Sequence, residues 1–223
     1  ELEVPKRPSG FSRPGINGFG LLEDGGEQYL AYHFDKIVSV NELKVFGQHN
    51  ISNVLAAIAL AMSVGIDIKP IKKAITEFTG LPHRCQWVRN ISGVEFYNDS
   101  KGTNVGATVA AVEGLGQRIS GHIILIAGGV GKGADFATLV PAINKWGKEL
   151  VLIGQDAVEM AAHFDSEINT YFANDMQDAV EVALKHARAG DAVLLSPACA
   201  SFDMFDNFQH RGSSFVQSVE TLQ

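Results

Sequence analysis

The second part of this chain, residues 81–223, predicts a doubly wound α/β fold with a mostly parallel sheet, and three observations carry that reading. Apolar runs recur as VEFYND, HIILIAGG, ELVLIGQD, NTYFAND and DAVLLSPA, each of strand length. Helical patterns lie between them: Val105, Val109 and Val112; then Phe136 to Trp146; then Met176, Val180, Ala183 and Leu184. The runs are apolar throughout, as strands buried on both faces must be. Alternation of this kind closes as a parallel sheet with helices on both faces.

The elements follow in order. Pro5, Pro8, Pro14 and many glycines interrupt the first forty-odd residues. GLLED and EQYLAYH read as two strands joined at Asp24-Gly25-Gly26, a hairpin signal. KIVSVNEL reads as a further strand. Ile51, Val54, Leu55, Ile58 and Met62 recur at helical spacing, with Asn50 or Ser52 placed to cap the helix and Gly65 to close it. A second helix runs from about Lys69 to Phe78. Two hairpin strands and two helices give a core that is marginal alone, so residues 1–80 read as the remainder of a larger domain. Gly80 and Pro82 in TGLPHR mark the hinge. Beyond it, CQWVRNI and VEFYND form a hairpin at Ser92-Gly93, and a final helix carries Phe208, Phe215, Val219 and Leu222.

Composition narrows the function classes. The chain has 223 residues, 46% hydrophobic and 19% charged, with a net charge of -7 and interspersed signs. No basic stripe suggests nucleic acid, and no apolar run approaches the roughly 20 residues that span a bilayer. Cys85 and Cys199 lie far apart and outside any CxxC spacing, so they read as reduced thiols in a cytoplasmic protein. Seven scattered histidines include no HExxH pair, and no metal site is expected in these residues. The opening Glu1-Leu2-Glu3 fits a cut fragment better than a natural amino terminus.

Ligands of an open parallel sheet bind beyond the carboxyl ends of its strands, which singles out three loops. They hold Asp99 to Asn104, Gly128 to Lys132, and Ser196 to Ser201. Thr103 and Asn104 offer a helix cap, and beside it free N–H groups for an anion. The glycines of the second loop would let backbone approach a ligand, with Lys132 as a fixed charge. The structural alternative is a tight strand-to-helix turn with a solvated lysine. Ser201 can donate to a carboxylate or cap the last helix. Singly, each structural reading outweighs its functional rival; three polar loops at one sheet edge favour a binding site. GGVGKG is not a Walker A loop, because Gly133 follows Lys132, and its glycine spacing is not the dinucleotide fingerprint. Ser201 lies in no G-x-S-x-G elbow.

Five segments, GQHNISNVLAAIALA (47–61), GLPHR (80–84), NDSKGTN (98–104), GGVGKGADF (128–136) and SPACASFDMFDNFQHRG (196–212), resemble the Mur ligases in order and spacing. The similarity runs from about Phe46 to the end, and the pairing of NDSKGTN with SPACASFDMF resembles the D-glutamate-adding branch. Gly102, Val130 and Gln209 stand where that family often has alanine, aspartate and glutamate. The resemblance implies a Rossmann-like amino-acid-binding domain over 81–223, preceded in 1–80 by the tail of an α/β ATP-binding central domain. It implies ATP and Mg2+ as cofactors, and D-glutamate and UDP-N-acetylmuramoyl-L-alanine as partners, joined through an acyl phosphate. Arg84 and Lys101 would face phosphate charge as the catalytic pair. Asn53, Arg84 and Asp99 would hold ATP. Thr103 and Lys132 would take one D-glutamate carboxylate, and Ser201 with the Phe208 backbone the other. No GKS or GKT occurs, so the family's phosphate loop and metal-binding groups are expected upstream of Glu1, and this chain alone is expected to be inactive. We expect a monomer in the bacterial cytoplasm. Two other readings share these features: a non-catalytic nucleotide- or acidic-ligand-binding module, and a folylpolyglutamate synthetase, which SPACASFDMFDNFQHRG disfavours.

Overall fold

The computed structural model describes residues 18–45 and 47–222; Pro5, Pro8, Pro14 and Phe46 lie outside them. The chain divides into two compact units, Glu1–Thr79 and Gly80–Gln223.

In the first unit, β1 (Phe19–Asp24), β2 (Glu27–Tyr32) and β3 (Asp35–Ser39) form an antiparallel sheet. Asp24 pairs with Glu27, so Gly25-Gly26 is a two-residue turn, and φ values of 61° and 81° explain why glycine fills both positions. KIVSVNEL does not continue as one strand. Ser39 ends β3 and caps a 3-10 turn, Val40–Glu42, in a reciprocal box with Glu42. The first helix, α1 (Gln48–Ser63), is capped by Gly47, so Asn50 and Ser52 lie inside it; the Ser52 hydroxyl donates back to the Gln48 carbonyl. Gly65 at φ 83° donates to Met62 and Ile66 to Ala61, a Schellman closure. Helix α2 (Ile68–Glu77) follows. Leu30, Val38, Ile51, Val54, Ile58, Ile71 and Ile75 bury one another between sheet and helices.

The second unit is built on a six-stranded sheet in the order β4-β5-β9-β6-β7-β8. Its strands are β4 (Gln86–Ile91), β5 (Val94–Asn98), β6 (Ile123–Gly128), β7 (Gly147–Ile153), β8 (Asn169–Phe172) and β9 (Ala192–Leu195). Only β4 is antiparallel, joined to β5 at Ser92-Gly93; the rest run parallel. Helices α3 (Val105–Gly116), α4 (Val140–Trp146), α6 (Met176–His186) and α7 (Phe208–Thr221) cover it. The stretch from Phe136 begins as a 3-10 turn, Phe136–Leu139, before α4, and a short α5 (Ala157–Ala161) is an element the apolar periodicity did not predict. Val180 and Ala183 of α6 and Phe215 and Val219 of α7 pack on Phe96, Ile124, Ile126, Val151 and Val193. Ile123, Leu125, Leu150 and Leu152 on the alternate positions are fully buried too, which is why these strands read as unbroken apolar runs.

The winding creates the site. From β5 the chain crosses to β6 and leaves a gap, continues outward through β7 and β8, then returns to place β9 between β5 and β6. The direction of winding reverses there, where an open α/β sheet offers a crevice.

Candidate functional site

Three loops leave the carboxyl ends of the adjacent strands β5, β9 and β6, and backbone hydrogen bonds lace them together. Ala198 donates to the Gly102 carbonyl at 2.9 Å and Gly128 to the Pro197 carbonyl at 2.9 Å. Val130 and Ala200 exchange both N–H···O bonds at 2.9 Å, a small antiparallel bridge. Thr103 follows Gly102, Lys132 lies two residues after Val130, and Ser201 follows Ala200. The sheet thus brings all three predicted contact loops to one rim.

The glycines of the second loop serve this lacing. A Cβ on Gly128 would stand 2.0 Å from the Ile153 carbonyl oxygen, and one on Gly129 2.2 Å from that of Ala200, both at positive φ. Their missing side chains make room for neighbouring backbone rather than for a ligand. Lys132, at φ 54°, is exposed.

Asp99 lies at the end of β5 and is buried. Its Oδ2 accepts from the Ser196 hydroxyl at 2.7 Å and its Oδ1 from the Cys85 N–H at 3.1 Å. Burial pushes its carboxyl up to about 6, against the pull of these hydrogen bonds and the Arg84 charge, the smallest of the influences. The carboxyl is therefore largely ionised at neutral pH, an acceptor ready at the rim. Ser196 also lies 3.0 Å from the Thr108 hydroxyl. Gly102 belongs to the same knot: a Cβ there would meet Asp99 Oδ2 and Ser196 Oγ at 2.6 Å, so alanine at this position requires the pair to shift. The other two departures from the family pattern lie at the Val130–Ala200 bridge and at exposed Gln209 in the first turn of α7.

Lys101 holds its ammonium 4.1 Å from the centroid of the Phe208 ring, a cation–π contact. Arg84 is exposed. The Cys85 thiol is held well above its ordinary value by burial and then by the Asp99 charge, which disfavours the thiolate. Thr103 does not cap α3; Asn104 does, accepting from the Ala107 N–H at 3.0 Å. Nor does Ser201 cap α7, whose cap is Asn207. Ser201 is buried. Phe208 is the first residue of α7, where a backbone N–H has no intrahelical acceptor. Asn53 is exposed on α1 in the first unit.

These loops have family counterparts. The Mur ligase glutamate ligase domain matches residues 83–199, just over half of the chain. The chain belongs to the Mur ligases. It is 50% identical over 213 residues to the UDP-N-acetylmuramoylalanine–D-glutamate ligase of Pseudomonas savastanoi pv. phaseolicola, covering 96% of this chain and 48% of that protein. The chain thus spans about half the length of the curated relatives it matches. The fold is shared with the UDP-N-acetylmuramate-alanine ligase of Thermotoga maritima at 18% identity and a TM-score of 0.65, over 87% of this chain and 43% of that one. A bifunctional folylpolyglutamate synthase/dihydrofolate synthase from Yersinia pestis aligns equally well, at 16% identity and 0.65, over 92% and 46%. Architecture therefore does not separate the two kinds of ligase, whereas the match to the D-glutamate ligases runs through the sequence itself.

Apolar periodicity missed a buried arginine that bonds two of these loops. Arg211 is 1% exposed. Its Nε donates to the Ser100 hydroxyl at 3.0 Å, its Nη2 to the Ser100 carbonyl at 2.9 Å, and its Nη1 to the Cys199 carbonyl at 3.1 Å. Burial lowers it to about 10, so it stays charged at neutral pH. A signal was present: Arg211 falls on the helical stripe between Phe208 and Phe215, where a polar residue must be buried.

Among the described residues no three His, Cys, Asp or Glu side chains form a metal-binding group, and no helix is long and apolar enough to cross a membrane.

Proposed function

We propose that this chain is the carboxyl-terminal half of an ATP-dependent ligase that joins D-glutamate to UDP-N-acetylmuramoyl-L-alanine in peptidoglycan precursor synthesis. The observation that carries the reading is 50% identity over 96% of the chain to a relative of that name. The geometry supports it. D-Glutamate carries two carboxylates and needs two separated sets of donors. Lys132 with Thr103 offers charge and a hydroxyl; Ser201 with the Phe208 N–H offers two directional donors. The Ser201 hydroxyl and the first N–H of α7 suit the second carboxylate. Asp99, ionised above about pH 6, serves as an acceptor for the nucleotide. Exposed Arg84 joins it in holding ATP, and Asn53, exposed on α1, is the nucleotide contact proposed for the first unit by itself. Lys101 and Arg84 face the phosphate that the acyl phosphate carries and releases, where catalysis is positioning and charge neutralisation. Mg2+ accompanies ATP in this chemistry and is assigned no residue of this chain. ATP dependence and two free thiols favour the bacterial cytoplasm.

An amide-shift titration tests the pocket in the chain as it stands. Millimolar D-glutamate should move the signals of Thr103, Lys132, Ser201 and Phe208. D-Alanine, which lacks the second carboxylate, should leave Ser201 and Phe208 in place. Equal responses to the two amino acids, or none at these four residues, would overturn the assignment. The chain alone should release no phosphate from ATP with both acceptors present.

A further inference from the structure

We infer that Arg211 is a positioning residue that holds the phosphate-facing and amino-acid-facing halves of the site in register. The inference rests on the ligase reading above and adds a residue to it. A single guanidinium reaches three segments: two bonds to Ser100 in the loop after β5, one to Cys199 in the loop after β9, and, being on α7 itself, the helix that begins at Phe208. Ser100 completes the link, its hydroxyl donating to the Phe208 carbonyl at 2.8 Å. Ser100 stands between Asp99 and Lys101, while Cys199 lies two residues before Ser201. The groups assigned to phosphate and those assigned to the second carboxylate of D-glutamate are thus tied to one buried side chain.

Its chemistry suits this work. Among the described residues Arg211 has no carboxylate within ion-pair distance, and its partners are two carbonyls and one hydroxyl. A buried cation with neutral partners is stable only while its fork is fully used, and the flat guanidinium offers donors in fixed directions. Lysine in its place keeps the charge and loses the fork. If Phe208 drifts, its N–H donor moves and the ring leaves the Lys101 ammonium, 4.1 Å away.

The test is steady-state kinetics in the full-length ligase, first on the parent enzyme and on Ser201→Ala. A parent with no D-glutamate-dependent phosphate release, or a Ser201→Ala enzyme with parental KM for D-glutamate, removes the pocket reading and the inference with it. With that control met, Arg211→Lys and Ser100→Ala are compared. Each should raise KM for D-glutamate on the order of tenfold while KM for ATP stays within about threefold, since lost charged hydrogen bonds act where Phe208 is displaced. The double variant should be no worse than the poorer single, because both break one linkage. Ser100→Ala leaves Arg211 its two carbonyl bonds, so it keeps the question open to measurement should Arg211→Lys fail to fold. A parental KM for D-glutamate in folded Ser100→Ala, equal rises for both substrates, or additive losses in the double variant would each overturn the inference.

Discussion

The two edges of the six-stranded sheet handle buried charge in opposite ways. At the amino-terminal edge, buried carboxylates lie beside basic side chains. Asp191, just before β9, accepts from the His122 and Arg188 backbone N–H groups and lies 3.9 Å from the Lys148 ammonium. Buried Glu149, near the start of β7, has the His186 ring nitrogen 3.4 Å from its Oε2, with Tyr171 stacked on that ring. At the carboxyl-terminal edge the buried ions Asp99 and Arg211 have neutral partners: Ser196, Cys85 N–H, Ser100 and the Cys199 carbonyl. Paired charges cancel their fields, whereas ions satisfied by dipoles keep theirs. The first arrangement is built for cohesion. The second suits a rim proposed to receive charged ligands, and it is less favourable for stability.

The largest expected effect tests whether the rim is held by its lacing. Gly129→Ala places a Cβ against the Ala200 carbonyl at positive φ and should destabilise the chain by about 3–5 kcal/mol in urea unfolding, overpacking and backbone strain together. Gly133→Ala, in the same loop at φ 70° with nothing within 4 Å, should cost only about 1 kcal/mol. Similar losses at the two positions would mean that the Val130–Ala200 bridge contributes little.

Asp99 gives the next largest. Its folded value of about 6 lies above the ordinary 3.8, so between these pH values the folded state holds more protons than the unfolded chain. Stability from this group therefore falls as pH rises from about 4 to 6, and above that the full penalty of about 3 kcal/mol stands. Asp99→Asn removes the titration. Its stability relative to the parent should rise by roughly that amount between pH 4 and pH 7. A difference that stays flat over this range would show that Asp99 is not held against its burial.

The smallest effect sharpens the contrast from the other side. His186→Leu removes the imidazole that lies 3.4 Å from buried Glu149 Oε2 and stacks on Tyr171, and should lower stability by about 1 kcal/mol. In the full-length enzyme KM for D-glutamate should not move. A shifted KM would mean that the two edges are coupled through the sheet.

The alternation of apolar runs with helical patterns determined, from sequence alone, the parallel sheet, the two hairpins and the rim loops. Each strand's burial on both faces leaves its mark in consecutive residues, and Asp24-Gly25-Gly26 and Ser92-Gly93 carry their turn geometry locally. The three loops could be proposed as neighbours, because parallel strands put their carboxyl ends together. Other features depended on contacts distant in sequence. The placement of β9 between β5 and β6 makes the loops adjacent. Gly128 and Gly129 allowed either ligand approach or a tight turn, and only the Ile153 and Ala200 carbonyls, which would stand 2.0 and 2.2 Å from their Cβ atoms, show what their missing side chains make room for. Thr103 and Ser201 read as caps because a cap is defined by backbone direction, and Asn104 and Asn207 hold those directions. Arg211 falls on the apolar stripe of its helix, which signals burial and not its partners. Only tertiary structure decided that its guanidinium ends between Ser100, 111 residues away in sequence, and Cys199, because hydrogen-bond partners so remote leave no local periodicity to read.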